Sequence, residues 1–225
     1  MENSITVITS TIGRLSLLKL CKSLSNQNIK IIHLILWDKK RTDDGLVPND
    51  LRFDEYINDN YNQYHYYIEH PFILEKDERI DNYLRSVGLS MTTTKYFTFI
   101  DDDCWLEDEW FNTAIEKMET NDLNYCFCRR NIWENETNKL GIDTYESIGE
   151  VNKFGYNLID MNSLIYNSNI KILLLGLINK FNSYTIDRKI CSYLINKQTG
   201  ECIDEGFINQ ISPTFLLDFH KENIA

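Results

Sequence analysis

The stretch from Lys95 to Leu106 constrains the fold more than any other part of this 225-residue chain. Its first part, Tyr96 to Ile100, is aromatic and β-branched without a charge, which is typical of a central strand in a covered parallel sheet. Three carboxylates follow directly, Asp101, Asp102 and Asp103. In open α/β sheets, ligands bind beyond the carboxyl ends of the strands, so the sequence predicts a ligand site at this strand end.

The spacing of the three carboxylates indicates a metal site. Side chains alternate across a strand, so we expect Asp101 and Asp103 to face one way and Asp102 the other. Adjacent carboxylates repel one another unless a cation or solvent screens them, and a hard divalent ion that also holds a phosphate-bearing ligand would do so. The alternative is a solvated acidic turn that precedes a helix near Glu107.

The overall charge argues against several classes of partner. The formal net charge is -11, so the average surface repels nucleic acid and anionic membranes. The length fits one domain over residues 1–225, and the longest late apolar run, Ile170 to Ile178, is too short to span a bilayer. The charge and the short apolar run therefore predict no nucleic-acid partner and no transmembrane segment. The sequence shows no signal-peptide pattern and its cysteines are scattered, so we expect a cytoplasmic location.

The N-terminal part of the chain predicts a βαβ unit. Ser4 to Ser10 reads as a central strand, Leu15 to Leu24 has helical apolar spacing, and Ile31 to Trp37 forms a second strand that ends at Asp38. Parallel strands joined by a helix bring their carboxyl ends to one edge of a sheet. We therefore expect the loop Ser10 to Arg14 and Asp38 to meet there, and a nucleotide to bind between them.

The middle of the chain continues the alternation of helices and strands. Asp77 to Met91 is predicted as a helix that leads into the Tyr96 strand, which gives a second crossover. Glu107 to Met118 is predicted as a helix and Leu123 to Cys128 as a strand. Residues 129–156 are predicted to be mostly loop with a hairpin.

The C-terminal part has weaker patterns. Ile159 to Tyr166 indicates a strand or the start of a helix, and Ile170 to Asn179 a helix. A further helix is expected over Asp187 to Asn196, with Asp187 at its N-cap, since aspartate is a preferred capping residue. The chain after Gly200 is predicted to be mostly loop, with Phe215 to His220 as a candidate last strand. The predicted fold is α/β, with a mostly parallel central sheet flanked by helices and an irregular C-terminal half.

Three stretches occur in the order seen in one large family: Ile5 to Arg14, Leu84 to Leu89, and Phe99 to Leu106. Together they resemble the nucleotide-sugar glycosyltransferases of GT-A fold, family-two-like. Arg85-Ser-Val-Gly88 resembles the Arg-Asn-x-Gly pattern of that family, with serine where asparagine is usual. Asp101 to Asp103 resembles its DxD motif.

The resemblance implies a Rossmann-like GT-A fold with a nucleotide-sugar-binding half, residues 1–106, and an acceptor-binding half, residues 107–225. It covers the first half well. The second half matches only loosely, through Asp160 to Leu164 and through Asp187-Arg188. The implied reaction moves a sugar from a nucleotide sugar, UDP-sugar first and GDP-sugar second, to a hydroxyl of a glycan or glycoconjugate acceptor.

The resemblance also implies roles for single residues. Asp38 would accept hydrogen bonds from the uracil or guanine ring, and Arg85 and Arg79 would neutralise phosphate charge. Asp103, with Asp101, would ligate a Mn2+ or Mg2+ ion that bridges the diphosphate. The residues assigned to nucleotide-sugar binding are Thr9, Thr11, Arg14, Asp38, Arg79, Arg85, Asp101 and Asp102, and the metal ligands are Asp103, Asp101 and the late His220.

The catalytic base is the least specified part of the site. An acceptor hydroxyl must lose its proton, so an inverting enzyme needs a carboxylate within hydrogen-bond reach. Asp187 is the first choice because it opens a helix in the acceptor half, as the base of the family often does. Asp160, Asp204 and Glu205 remain candidates, and a retaining mechanism, which needs no such base, stays open.

Two other classes of function compete with the transferase interpretation. In a phosphatase or phosphotransferase of the haloacid-dehalogenase type, a strand also ends in Asp-x-Asp, but that motif lies near the N-terminus, whereas here it lies in the middle of the chain. Enzymes of that type also have Thr or Val at the position that Trp105 occupies here. A non-catalytic nucleotide-binding protein of transferase fold stays open because the acceptor half matches weakly.

Overall fold

The computed structural model describes residues 4–38, 53–69, 80–143, 159–180 and 186–212. In these ranges the chain forms one sheet covered by helices. The strands are β1 (Ser4–Thr11), β2 (Lys30–Asp38), β3 (Tyr61–Ile68), β4 (Tyr96–Phe99), β5 (Cys104–Leu106), β6 (Tyr125–Trp133), β7 (Lys139–Ile142), β8 (Leu164–Asn167) and β9 (Gly200–Ile211). The α-helices are α1 (Ser16–Ser25), α2 (Ile80–Met91), α3 (Trp110–Thr120), α4 (Lys171–Lys180) and α5 (Ile186–Lys197), with short 3-10 turns at Phe53–Tyr56, Met161–Ser163 and Ser168–Ile170.

The first four strands form the parallel part of the sheet, in the order β3-β2-β1-β4. Ile8 of β1 lies opposite Phe99 of β4, and Thr11 lies opposite Trp37 of β2. These four residues are buried, as a parallel sheet covered on both faces requires. The pairing brings the carboxyl ends of β1, β2 and β4 to one edge, as the βαβ pattern predicts.

The rest of the sheet contains antiparallel pairings, so the sheet as a whole is mixed rather than purely parallel. β8 pairs antiparallel with β4 and with β6, β9 runs parallel to β6, and β5 pairs antiparallel with β9. β7 forms the predicted hairpin with β6. The sheet order continues β4-β8-β6-β9-β5, so strands from residues 107–225 extend the sheet formed by the first four strands.

Helices cover both faces of the sheet and enclose two apolar clusters. α1 and α3 pack on one face, where Leu17, Leu20 and Leu24 of α1 follow helical spacing. α2, α4 and α5 cover the other face, with Leu84, Leu174 and Ile190 in one buried cluster. This layering confirms the α/β class and fixes the loop ends at one edge of the sheet.

Several predicted C-terminal elements need correction. The segment after Gly200 is the twelve-residue strand β9 rather than loop, and β6 continues to Trp133 beyond its predicted end at Cys128. α5 begins at Ile186, so Asp187 lies in its first turn rather than at the N-cap. The candidate strand Phe215 to His220 lies outside the described residues. No helix in the described ranges has the length and apolarity to cross a membrane.

Candidate active site

A pocket of about 180 Å³ lies at the edge where β1 and β4 end. We call it the carboxylate pocket. Its lining combines the loop after β1, the turn after β4 and the first turn of α2. The lining residues are Ser10, Thr11, Ile12, Arg14, Asp81, Asp101, Asp102 and Asp103.

Asp101 is held from two sides by residues of different halves of the chain. Arg85 on α2 donates to Asp101 Oδ1 at 2.8 Å, and Asn162 donates its Nδ2 to Asp101 Oδ2 at 3.1 Å. The backbone N–H of Asp101 in turn donates to Asn162 Oδ1 at 2.6 Å. Burial raises the pKa of Asp101, but the charge of Arg85 and the hydrogen bonds from Arg85 and Asn162 lower it below its ordinary value. Asp101 is therefore an anion with a fixed orientation, and its side chain is 34% exposed.

Asp102, the middle one of the three carboxylates, is the most buried, and its side chain is only 5% exposed. Thr11 donates its hydroxyl to Asp102 Oδ2 at 2.5 Å, and Arg14 donates to Oδ1 at 3.1 Å. Thr11 also accepts from the backbone of Gly13, whose φ of 93° lies in the left-handed region that glycine adopts without strain. Asp102 thus ties the loop after β1 to the turn after β4.

Burial is also the largest influence on the titration of Asp102. It raises the pKa of Asp102 to about 6, against the opposing effects of the Thr11 hydrogen bond and the Arg14 charge. The pKa of Asp103 is raised as well, by burial and by the charge of Asp101. The carboxylate pocket therefore favours any added positive charge.

Asp103 faces the pocket beside Arg14. Arg14 NH1 lies 3.2 Å from Asp103 Oδ2, and the two side chains are 52% and 43% exposed. An ion pair this exposed contributes little to stability. Arg14 is thus the resident cation of the pocket, and it is able to turn toward an incoming anion.

The described residues fit a divalent ion only as part of a ligand complex. No group of three or more His, Cys, Asp or Glu side chains in the described part of the chain converges as a metal site. Asp101 and Asp103 supply hard oxygen atoms, and a carboxylate with one hydrogen bond on each oxygen keeps further lone pairs for a metal. Mg2+ is commonly held by one or two carboxylates, with phosphate oxygens and water in the other positions. The two carboxylates fit that arrangement.

Thr9, which was assigned to nucleotide binding from the sequence, does not line the carboxylate pocket. It is fully buried, and its hydroxyl donates to the Ile100 carbonyl at 2.7 Å. The Thr9 oxygen must then accept from His33 Nε2 at 2.9 Å, so that His33 Nδ1 accepts from the Tyr61 hydroxyl at 2.7 Å. Burial lowers the pKa of His33 to about 3, so the hydrogen-bonded set of Thr9, His33 and Tyr61 is a neutral network in the core.

Asp38 ends β2 at the predicted edge and is 1% exposed. It is not among the residues that line the carboxylate pocket. Its proposed contact with the base remains a prediction. Arg79 and His220 lie outside the described residues, as does the side chain of Asp187, so their roles are predictions too.

The other base candidates differ in what holds them. Asp160 accepts from the backbone N–H of Asn162 at 2.8 Å and from Arg130 NH1 at 2.7 Å, so each of its carboxylate oxygens accepts a hydrogen bond. Asp204 is 78% exposed and pairs with Arg129, and Glu205 beside it is also exposed. Neither Asp204 nor Glu205 lines the carboxylate pocket.

Three residues near the site were not assigned from the sequence. Asp81 lines the pocket from the first turn of α2. Asn162 holds Asp101 across 61 positions of the chain, and Arg130 holds Asp160. Only Asp160 carries a local signal, because an aspartate side chain often accepts a hydrogen bond from the backbone N–H two residues later, here that of Asn162, and so caps a turn. The hydrogen bonds from Asn162 to Asp101 are long-range and leave no such signal.

The sheet, with carboxylates at the ends of its parallel strands, can be compared with known proteins. Residues 83–178 match the model of a family described as Glycosyl transferase family 2. The matched segment is somewhat under half of the chain and contains Arg85, Asp101 to Asp103 and Asn162. No curated protein matches the chain significantly.

Solved structures of S. aureus TarS share the fold. The structure of TarS 1–349 superposes with a TM-score of 0.63 at 13% identity, covering 93% of this chain and 61% of that one. Its complex with UDP gives a TM-score of 0.63 at 13% identity, over 96% and 62% of the two chains. Its complex with UDP-GlcNAc gives 0.60 at 12%, over 95% and 59%.

This chain spans about three fifths of the length of those TarS structures. At such identity the likeness shows the GT-A fold alone. With the family match, it confirms the resemblance to family-two-like glycosyltransferases drawn from the three sequence stretches.

Proposed function

We propose that the protein is a glycosyltransferase that moves a sugar from a nucleotide sugar to a hydroxyl of a glycan or glycoconjugate. UDP-sugar is the first choice of sugar donor and GDP-sugar the second, with Mn2+ or Mg2+ bound and with inversion at the sugar carbon. The observation that carries the proposal is the carboxylate pocket, where two partly exposed carboxylates and two arginines meet at the ends of parallel strands. The cytoplasmic location belongs to the proposal and rests on the sequence alone.

The pocket suits the diphosphate end of a nucleotide sugar rather than the whole molecule. Its volume of about 180 Å³ is smaller than the roughly 300–1,000 Å³ that pockets for larger ligands occupy. Asp101 and Asp103 would hold the metal, which would stabilise the charge that develops on the departing diphosphate. Arg14 would exchange its carboxylate partners for phosphate oxygens, and Arg85 would keep Asp101 ionised and in place.

Complexes of the TarS structures with UDP and UDP-GlcNAc support the choice of a uridine nucleotide. The family match favours the transferase over the phosphatase interpretation. A non-catalytic nucleotide-binding protein would have the same fold, so turnover decides between the two remaining functions.

The test is release of free nucleotide from a panel of UDP-sugars and GDP-sugars with Mn2+. We expect slow release from one UDP-sugar even without acceptor, because water can replace a hydroxyl. Asp101→Asn should lower that rate by about 100-fold or more, since it removes stabilisation made at the reacting diphosphate. Asp108→Asn, an exposed carboxylate outside the pocket, is the matched control and should leave the rate unchanged. Saturable UDP binding without any release would favour the non-catalytic function.

Asp187 is the proposed base, because it lies in the first turn of α5, in the half of the chain proposed to bind the acceptor. Asp187→Asn should lower the transfer rate by about 100-fold to 10,000-fold, as loss of a general base does, while leaving UDP binding intact. Asp204→Asn is the control and should leave transfer unchanged. A full rate in Asp187→Asn would remove Asp187 from the mechanism and favour retention.

A further inference from the structure

The strongest feature that the proposed function leaves unexplained is a group of polar and charged side chains around the buried Arg130. Arg130 on β6 is 3% exposed, and so is nearly cut off from water. Its NH1 donates to Gln210 Oε1 at 2.8 Å, and its NH2 donates to Asp143 Oδ2 at 2.7 Å. We call Arg130, Asp143, Asp160 and Gln210 the β6 cluster.

The β6 cluster is connected to the pocket through a single turn. Arg130 NH1 also donates to Asp160 Oδ2 at 2.7 Å. The other oxygen of Asp160 caps the 3-10 turn Met161–Ser163 by accepting from the N–H of Asn162. Asn162, which is 4% exposed, then binds Asp101 with both ends of its amide.

Each link in this chain fixes the next. A partly buried carboxylate paired with a buried guanidinium accepts strong charge-assisted hydrogen bonds, so Asp160 has little freedom to rotate. The cap that Asp160 makes sets the position of the Asn162 backbone. The amide of Asn162 accepts from the Asp101 N–H and donates to the Asp101 carboxylate, which fixes both its orientation and that of the carboxylate.

We propose that Arg130, Asp160 and Asn162 form a positioning relay that sets the orientation of the Asp101 carboxylate from the core of the acceptor half. The relay rests on the proposed function, since its purpose is to present Asp101 to a metal-bound diphosphate. Neither Arg130 nor Asp160 lines the carboxylate pocket, so both act through Asn162. Arg85 holds the other oxygen of Asp101, and the two hydrogen bonds together leave the carboxylate one orientation.

Three substitutions separate the relay from a merely structural ion pair. The Asn162 N–H and Arg130 NH1 donate to different oxygens of Asp160, and Asp160→Asn replaces one of these oxygens with an NH2 group that faces a donor, so the substitution breaks one link. Asp143→Asn also removes a carboxylate beside Arg130, but its single oxygen can still accept from NH2, and Asp143 lies off the path to Asn162. Asn162→Leu, of similar volume, removes the last link directly.

The first readout is UDP binding with Mn2+, measured by calorimetry on the whole chain. Loss of a partner that orients a metal ligand costs about 10-fold to 100-fold in affinity, so Asp160→Asn and Asn162→Leu should weaken binding by at least about tenfold. Asp143→Asn should keep binding within about twofold of wild type. Equal weakening in Asp160→Asn and Asp143→Asn would overturn the relay, as would unchanged binding in a folded Asp160→Asn.

The second readout needs no nucleotide. In crystal structures of the ligand-free wild type, Asp160→Asn and Asp143→Asn, we expect the hydrogen bond from Asn162 to the Asp101 carboxylate to be broken or reoriented only in Asp160→Asn. If wild type binds no nucleotide, the proposed function fails, while these structures still decide the relay. An Asp101 carboxylate that keeps its orientation in Asp160→Asn would refute it.

Discussion

The carboxylate pocket and the β6 cluster are both built from aspartates and arginines, yet their surroundings differ. In the pocket, Arg14 and Asp103 are 52% and 43% exposed and form one ion pair. In the β6 cluster, Arg130 and Asp143 are 3% and 2% exposed. A charged group in an exposed pair can exchange its partner for water or a ligand at little cost. Separating the buried pair would leave two uncompensated charges inside the protein, so the buried pair stays together. The same residue types therefore serve ligand exchange in one region and fixed geometry in the other.

The comparison is sharpest at two neighbouring arginines of β6. Arg130→Met leaves the carboxylates of Asp143 and Asp160 without their buried cation, so it should lower the free energy of unfolding by about 3–5 kcal/mol. Arg129→Met removes an arginine that pairs with the 78% exposed Asp204 and should cost less than about 1 kcal/mol. Urea unfolding of both variants measures the difference, and similar decreases would contradict the contrast.

A pH series tests the electrostatics of the carboxylate pocket. The pKa of Asp102 is about 6 in the folded protein and its ordinary value is 3.8, so the folded state binds more protons between these values. The contribution of Asp102 is therefore fully present below about pH 4 and is lost as pH rises through about 6, on the order of 3 kcal/mol in all. Asp101 has a lowered pKa and has the opposite sign, because its contribution is lost as pH falls.

Asp102→Asn isolates the first of these effects. Relative to wild type, the variant should gain about 3 kcal/mol in free energy of unfolding between pH 4 and pH 7, because its amide does not titrate. Urea unfolding at intervals of about half a pH unit measures the difference. A difference independent of pH would show that Asp102 titrates at its ordinary value.

Glycines in the helices α2 and α4 differ in how closely their surroundings are packed. A Cβ at Gly88 of α2 would lie 2.5 Å from Ile8 Cγ2 and 2.7 Å from Leu36 Cδ1, whereas a Cβ at Gly176 of α4 would meet nothing within 4 Å. Gly88→Ala should therefore destabilise by about 1–3 kcal/mol through overpacking. Gly176→Ala should stabilise by about 0.5–1 kcal/mol through helix propensity. Thermal unfolding measures both, and stabilisation by Gly88→Ala would contradict the close approach of α2 to the sheet.

Arg14→Met should have the smallest effect on stability, less than about 1 kcal/mol, because its side chain is half exposed. UDP binding with Mn2+ should nevertheless weaken by about tenfold, the value of one charge-assisted hydrogen bond of about 1.5 kcal/mol. Lys22→Met removes the same charge from an exposed position of α1 and is the control for net charge. Equal effects of the two substitutions on UDP binding would show that Arg14 acts through the net charge of the protein and does not contact the diphosphate.

The parallel region was predictable because its strands are uncharged and buried on both faces. The extension of β6 was missed because Arg129 and Arg130 are charged, and only long-range pairing shows how Arg130 can be buried. β9 was missed for a similar reason, since Asp204 and Glu205 in its middle are exposed on a strand that is otherwise paired. Sequence patterns report local burial, and they do not report which distant charge compensates a buried one.

The site was predictable to the same extent. Asp101 to Asp103 were singled out from their place directly after a buried strand, and all three line the carboxylate pocket. Thr9 does not line the pocket, because residues near the end of a strand face either the ligand or the core, and the His33 network holds the Thr9 side chain in the core. Asn162 was missed because its two hydrogen bonds join positions 61 residues apart.

The most direct test of the metal-diphosphate site is calorimetric titration of UDP and of GDP, each with and without Mn2+, into wild type, Asp103→Asn and the control Asp108→Asn. We expect UDP to bind wild type and Asp108→Asn tightly only with Mn2+, and Asp103→Asn to bind at least about tenfold more weakly. Absence of binding by either nucleotide, or equal affinity in Asp103→Asn, would show that the three carboxylates are not a metal-diphosphate site.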